Sequence, residues 1–145
     1  MPQKQISRTF TLGYSPCPND TFIFYALAHG KVGIGSLEIE EILLDVETLN
    51  QKALWGEFDI TKVSFHAYGF LQDRYDLLRS GSAMGKGCGP LVVARHAISP
   101  DSLRGTKIAI PGRLTTAFLL LQLYDPRLDA KIIVMPFDRI MDAVK

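Results

Sequence analysis

Cysteine is scarce in this chain. The two thiols among 145 residues, Cys17 and Cys88, show no C-x-x-C spacing, which argues against a disulfide framework or a zinc knot and fits a reducing cytosol. An excess of one charge is missing too: 16 Lys and Arg stand against 15 Asp and Glu, a net +1. With no basic run to track phosphates, neither nucleic acid nor an anionic membrane is an expected partner. No apolar run approaches the ~18 residues of a membrane helix; the longest, Ala117 to Leu123, is interrupted by Gln122. Met1 to Arg8 holds no apolar stretch of the kind a secretory leader needs, so a cytoplasmic location is expected. The G-x-G-x-x-G, G-K-[ST] and H-E-x-x-H patterns are absent, as are paired carboxylates and a Ser-His-Asp set, and no metal site is expected.

What is present is a folding composition, 47% hydrophobic and 21% charged. Strand-like runs at Phe10–Tyr14, Leu37–Leu44 and Phe58–Val63 alternate with helical patterns from Asp20 to Ala28, from Val46 to Trp55, and from Ser64 to about Leu71. Asp45 and Ser64 stand as caps, and Gly30 and Gly56 as stops. Further strands are expected at Tyr75–Arg79 and Pro90–Ala94. After the polar break at Ser99–Ser102, a new unit runs strand 106–110, helix 115–124, strand Lys131–Met135 and a helix opened by Asp138 that runs to Lys145 without a stop signal. This order predicts an α/β fold with a largely parallel sheet. It divides into a first α/β lobe over 1–95 and the start of a second over 96–145. Leu119, Leu120, Leu121 and Leu123 cover most of one helix and need cover on several sides. The expectation is therefore the N-terminal part of a longer two-lobed protein, whose uncovered leucine face offers a route to a homodimer.

Two strand-to-helix turns carry the chemistry. In Ser15-Pro16-Cys17-Pro18-Asn19-Asp20-Thr21, two prolines stiffen the turn, and Asn19, Asp20 and Thr21 are all good N-caps. The free N–H groups and positive dipole end beyond them suit a carboxylate or phosphate, though a plain cap needs the same residues. Ser15, Asn19 and Asp20 are candidate pocket residues. Pro111-Gly112-Arg113-Leu114-Thr115-Thr116 repeats the arrangement; one threonine suffices as a cap and the second is free for a ligand. Lys62-Val63-Ser64 ends a strand just before a helix, where ligands of parallel sheets gather. An amine and a hydroxyl there hold a carboxylate well, or serve as surface lysine and capping serine. His29 reads as a helix-end residue and His96 as solvated. His66 lies near the candidate site but, on the first turn of a helix, is expected to point sideways rather than act as a base. Cys17 reads as a buried turn cysteine, and Gly81 to Pro90 as a crossover loop rather than a phosphate loop.

Those residues bring a resemblance into view. Ser15 to Phe22, Asp45-Val46-Glu47-Thr48-Leu49-Asn50, Thr61 to Ser64, Arg79 to Arg95 and Pro111 to Thr116 closely resemble the 1,4-dihydroxy-6-naphthoate synthase family of the futalosine route to menaquinone. The resemblance covers essentially the whole chain. It implies a fold like the type II periplasmic binding proteins, with two α/β lobes and a ligand cleft. The implied reaction is a lyase-type cleavage of cyclic dehypoxanthine futalosine, which yields the dihydroxynaphthoate and a small sugar-derived fragment without metal or organic cofactor. It implies that the small carboxylate substrate is held by Lys62, Val63 and Ser64 and by Thr115 and Thr116. The family's general base is a histidine in an Ile-His-Glu segment, which these 145 residues lack; by the resemblance its place falls beyond Lys145. No catalytic residue is therefore assigned, and the chain alone is expected to be inactive. Chorismate dehydratase of the same pathway is a second reading. A non-catalytic solute-binding protein, which usually carries an export signal, is a third.

Overall fold

A computed structural model describes residues 8–145. Met1 to Ser7, most of the stretch read above for a leader, lies outside the described residues. Strand and helix alternate: β1 (Arg8–Tyr14), α1 (Pro18–Ala28), β2 (Leu37–Leu43), α2 (Val46–Trp55), β3 (Ile60–Thr61) and α3 (Phe65–Tyr68). After a 3-10 turn (Pro100–Leu103) come β4 (Lys107–Ile110), α4 (Thr116–Tyr124), β5 (Lys131–Val134) and α5 (Phe137–Val144). These form two parallel sheets, one in the order β2-β1-β3 and one pairing β4 with β5. The fold is mixed α/β with small parallel sheets, as the alternation of patterns predicts.

The central strand, β1, is apolar and buried at its carboxyl end, through Leu12 and Tyr14. Between them, Gly13 lets its neighbours close in. A Cβ there would lie 3.0 Å from atoms of Leu49, Phe58 and Thr61. α2 therefore seats its Leu49, Asn50 and Ala53 face inward, and burying Leu49 contributes about 1.5–3 kcal/mol. Asp45 starts this helix, accepting from the N–H groups of Glu47 and Thr48, and Gly56 ends it at φ +72°, a left-handed conformation that glycine adopts without penalty. In the second unit the buried apolar side chains, among the described residues, are Leu103, Ile110 and Phe118. Leu120 and Leu123 of α4 stay exposed.

Several expectations need correction. The first helix begins at Pro18, with Cys17 as N-cap; none of Asn19, Asp20 and Thr21 takes that place. Asp20 turns its carboxylate to Ser15 instead, and Thr21 donates to the carbonyls of Cys17 and Pro18. The last helix begins after Pro136 rather than at Asp138 and includes Val144. β3 has only two paired residues and α3 a single turn. The strands expected at Tyr75–Arg79 and Pro90–Ala94 join neither sheet. Tyr75, Val92 and Val93 suit a strand, but a strand exists only against a partner. Here Leu77, Leu78, Leu91 and Val92 are exposed.

Candidate functional site

In a parallel sheet, ligands gather beyond the carboxyl ends of the strands, where the strand order reverses. In the three-stranded sheet that point lies beside the central β1. Ser15 follows β1 and Lys62 follows β3, and Asp20 links them. Ser15 donates to Asp20 Oδ2 twice, from its N–H at 3.1 Å and from Oγ at 2.8 Å. Lys62 Nζ lies 3.3 Å from Asp20 Oδ1 and donates to the Gly81 carbonyl at 3.0 Å. Two of the three ammonium donors are thus occupied and, among the described residues, one is left for a ligand. Ser15 and Asp20 are buried, whereas Asn19 is exposed.

Ser64 occupies the N-cap position of α3 but does not cap it through its hydroxyl. Its partner is Asn50, which is wholly buried. Asn50 Nδ2 donates to Ser64 Oγ at 3.0 Å, and Asn50 Oδ1 accepts from the Ser64 N–H at 2.8 Å. The bond into Ser64 Oγ uses an acceptor position, so the hydroxyl hydrogen remains available to donate.

The threonine pair divides its labour. Thr115 is the N-cap of α4; its Oγ1 donates to the Gly112 carbonyl at 2.7 Å and accepts from the Phe118 N–H at 3.4 Å. It is buried. Thr116 Oγ1 accepts from the His66 N–H at 3.4 Å, while the His66 ring nitrogen Nδ1 lies 3.3 Å from the Thr115 carbonyl. A carbonyl accepts only, so Nδ1 carries the hydrogen in that bond. His66 thereby bridges the β3–α3 turn to the start of α4.

A cleft of about 330 Å³ is lined by residues 15–18, Asp45, Val46, Pro111 and residues 136–138. It opens beyond the carboxyl ends of β1, β2, β4 and β5. Of the predicted site residues only Ser15 lines it; Lys62, Val63, Ser64, Thr115 and Thr116 do not. Lys145, the residue beyond which the matched base was expected, is no part of the site either. It does not line the cleft, and its exposed ammonium pairs with Asp142 on α5 at 2.6 Å. Cys17 does line the cleft, half-buried rather than buried, with its Sγ accepting from the Asp20 N–H at 3.5 Å. At the rim, burial alone would raise the Asp45 carboxyl, but bonds from the Thr48 hydroxyl and the Thr48 and Glu47 N–H groups outweigh it and hold the group below its ordinary value. On β1, burial together with the bond to Glu41 pushes the Tyr14 phenol up to about 12, so it remains a neutral donor to Glu41. Among the described residues, no cluster of His, Cys, Asp and Glu is arranged to hold a metal ion.

Two residues, Asn50 and Glu47, lie in the Asp45–Asn50 segment that carries the resemblance but were given no site role from sequence. Asn50 lies on the apolar stripe of α2 with Leu49 and Ala53, and a polar group on a buried stripe is itself a signal. Glu47 Oε2 accepts from the Leu114 N–H at 3.1 Å, a contact across 67 residues that no spacing rule anticipates.

The sequence profile of a family described as "Menaquinone biosynthesis" matches residues 10–145. A Thermus thermophilus protein named 1,4-dihydroxy-6-naphtoate synthase is 57% identical over 113 residues, covering 78% of this chain and 40% of its own length. A Streptomyces coelicolor protein of the same name is 43% identical over 141 residues, covering 94% of this chain and 49% of its own. A crystal structure of an Archaeoglobus fulgidus protein superposes with a TM-score of 0.86 at 47% identity, covering 94% of this chain and 49% of that one. The chain spans about half the length, or less, of these relatives. Among the described residues, no helix is long and apolar enough to cross a membrane.

Proposed function

The chain belongs to the menaquinone biosynthesis family, and from that we propose that it supplies the carboxylate-holding part of a cytoplasmic 1,4-dihydroxy-6-naphthoate synthase. In this reading residues 1–95 and 96–145 belong to two lobes of a type II periplasmic-binding-protein-like fold. The substrate is cyclic dehypoxanthine futalosine, cleaved in a lyase-type reaction. Both named relatives bear the synthase name, which favours this over chorismate dehydratase.

The observation that carries the reading is the state of three donors. Lys62 keeps one ammonium hydrogen unused among the described residues, and Ser64 and Thr116 each accept a bond that leaves the hydroxyl hydrogen free. An ionised carboxylate is an acceptor only, and a cation with two hydroxyl donors complements it. The residues' work in this reading is to bind and orient. Lys62 neutralises the carboxylate, and Ser64 and Thr116 fix its plane, so that the reacting end of the substrate is held in one place. Thr115 stays a cap, since both its hydroxyl functions are used within its own turn. Proton abstraction is assigned to none of these residues.

The test is a titration of the chain with 1,4-dihydroxy-6-naphthoate and, separately, with 1,4-dihydroxynaphthalene, which lacks the carboxylate. The expected result is saturable binding of the first only, lost in Lys62→Met, with no turnover of cyclic dehypoxanthine futalosine by the chain alone. Equal binding of both compounds, or binding indifferent to Lys62→Met, overturns the reading.

A further inference from the structure

Among the described residues, the hydrogen bonds that join residues 8–95 to residues 96–145 come from two residues of the first stretch, Glu47 and His66. His66 acts at the threonines themselves. Glu47 acts one step earlier, on the turn that delivers them. Its Oε2 accepts from the Leu114 N–H at 3.1 Å, and its Oε1 accepts from Gln51 Nε2 at 3.1 Å, one helical turn along α2. The carboxylate is thus held from its own helix on one oxygen and holds the turn with the other. Steric fit says the same. At Gly112 a Cβ would come within 2.6 Å of Glu47 Cβ, so the turn lies flat against the first turn of α2 only because Gly112 has no side chain.

We propose that Glu47 is a positioning residue of the carboxylate site. It straps the Pro111–Leu114 turn to α2 and so sets where Thr116 stands relative to Ser64 and Lys62. The proposal rests on the functional reading above for the ligand, but the strap itself is a separate claim. Asp45 and Val46 line the cleft from the start of α2 and Pro111 lines it from the turn, so the same strap fixes the separation of those two walls. A glutamate in the first turn of a helix is also favoured by the dipole alone. That role would not require a bond to Leu114 and would not make Gly112 sterically indispensable.

The experiment measures amide hydrogen exchange at Leu114 by NMR, and affinity for 1,4-dihydroxy-6-naphthoate, in the chain and in three variants. Glu47→Gln keeps a carbonyl oxygen for Leu114 and can turn its amide toward the Gln51 oxygen; Leu114 protection and affinity are expected to stay within about threefold of the parent, in line with one neutral bond replacing a charge-assisted one. In Glu47→Ala, protection and affinity are expected to fall about tenfold or more, the loss of one charge-assisted bond, while amides of β1 keep their protection. Gly112→Ala pushes the turn off α2 from the other side and is expected to reproduce the affinity loss with Glu47 intact. Unchanged Leu114 exchange in Glu47→Ala overturns the strap. Unchanged affinity in Glu47→Ala, or a Gln variant as weak as the Ala variant, overturns the positioning role. A parent chain that binds no naphthoate while Leu114 protection still depends on Glu47 overturns the functional reading and supports the strap.

Discussion

The carboxamide of Asn50 is bonded at both ends to one residue, Ser64: it donates to the hydroxyl at 3.0 Å and accepts from the backbone N–H at 2.8 Å. The pair joins the second turn of α2 to the N-cap residue of α3, and Asn50 has no exposed surface. Asn50→Ala removes both bonds, orphans a backbone donor and opens a small cavity. The expected cost is about 2–3 kcal/mol in chemical denaturation, with naphthoate affinity falling beyond what the loss of stability explains, because the Ser64 hydroxyl is no longer oriented. Asn50→Asp retains the acceptor for the Ser64 N–H and is expected to recover part of the stability but not the affinity.

Asp20 and Lys62 form an ion pair in which the carboxylate is the more enclosed partner, at 9% side-chain exposure against 21%. Lys62→Met leaves Asp20 a charge compensated only by Ser15. The expected destabilisation is about 2 kcal/mol, below the figure for a fully buried pair because Lys62 retains contact with water. Asp20→Asn is expected to keep a Ser15 contact, lose the pairing with Lys62, and loosen the anchorage of the amine while leaving it able to meet a carboxylate. Thermal melts and naphthoate titrations of the two variants separate the roles: stability falls in both, and affinity is abolished only in Lys62→Met.

Much of this was legible in the sequence, and the pattern of misses is physical. Asp45 with Gly56, and Thr115 before an apolar run, mark helix ends by local chemistry, and both ends form where that chemistry places them. The position of Lys62–Ser64 between β3 and α3 was legible because a strand end before a helix is defined along the chain. The first helix was harder. Four residues around Pro18, Cys17 and Asn19 to Thr21, can all serve its start, and the choice was made by Ser15, which drew Asp20 away from capping. Val92 and Val93 carry strand-forming side chains and Leu77, Leu78 and Leu91 are apolar, yet pairing depends on a neighbouring strand that composition does not supply. The Glu47–Leu114 bond illustrates the deepest limit: each partner is ordinary in its own helix or turn, and only the packing of α2 against the second unit makes them a pair.

The Asp45 carboxyl titrates below its ordinary value of 3.8 because bonds from Thr48 and Glu47 outweigh its desolvation. A group depressed in the folded state contributes stability that is present above its unfolded pKa and is lost as pH falls through the folded one. Stability is therefore expected to drop on acidification below about 4, the ordinary range of an aspartate. Asp45→Asn keeps a good N-cap but cannot titrate, so its neutral-pH stability is expected to stay within about 0.5 kcal/mol of the parent while its acid sensitivity is reduced. Asp45→Ala is expected to cost about 1 kcal/mol at neutral pH. Denaturant midpoints measured from about pH 3 to about pH 7 check the sign; an acid slope in Asp45→Asn as steep as in the parent contradicts it.

Thr115 and Thr116 are adjacent and chemically identical, but their hydrogen-bond states differ, and that difference predicts opposite outcomes for one substitution. Thr115→Val removes the cap on the Phe118 N–H and the bond to the Gly112 carbonyl inside a buried turn. The expected cost is about 1–2 kcal/mol of stability. Naphthoate affinity in the folded fraction should be reduced only modestly, since the hydroxyl had no hydrogen to offer. Thr116→Val removes a hydroxyl whose one partner among the described residues is the His66 N–H at 3.4 Å, a long bond on a half-buried group. Stability is expected to change by less than about 0.5 kcal/mol, while affinity falls about tenfold, the loss of one bond to a charged acceptor. Melting curves and naphthoate titrations on the two variants decide the matter. If Thr115→Val is the variant that loses affinity at preserved stability, the division between cap and ligand donor is the reverse of the one drawn from the hydrogen bonds.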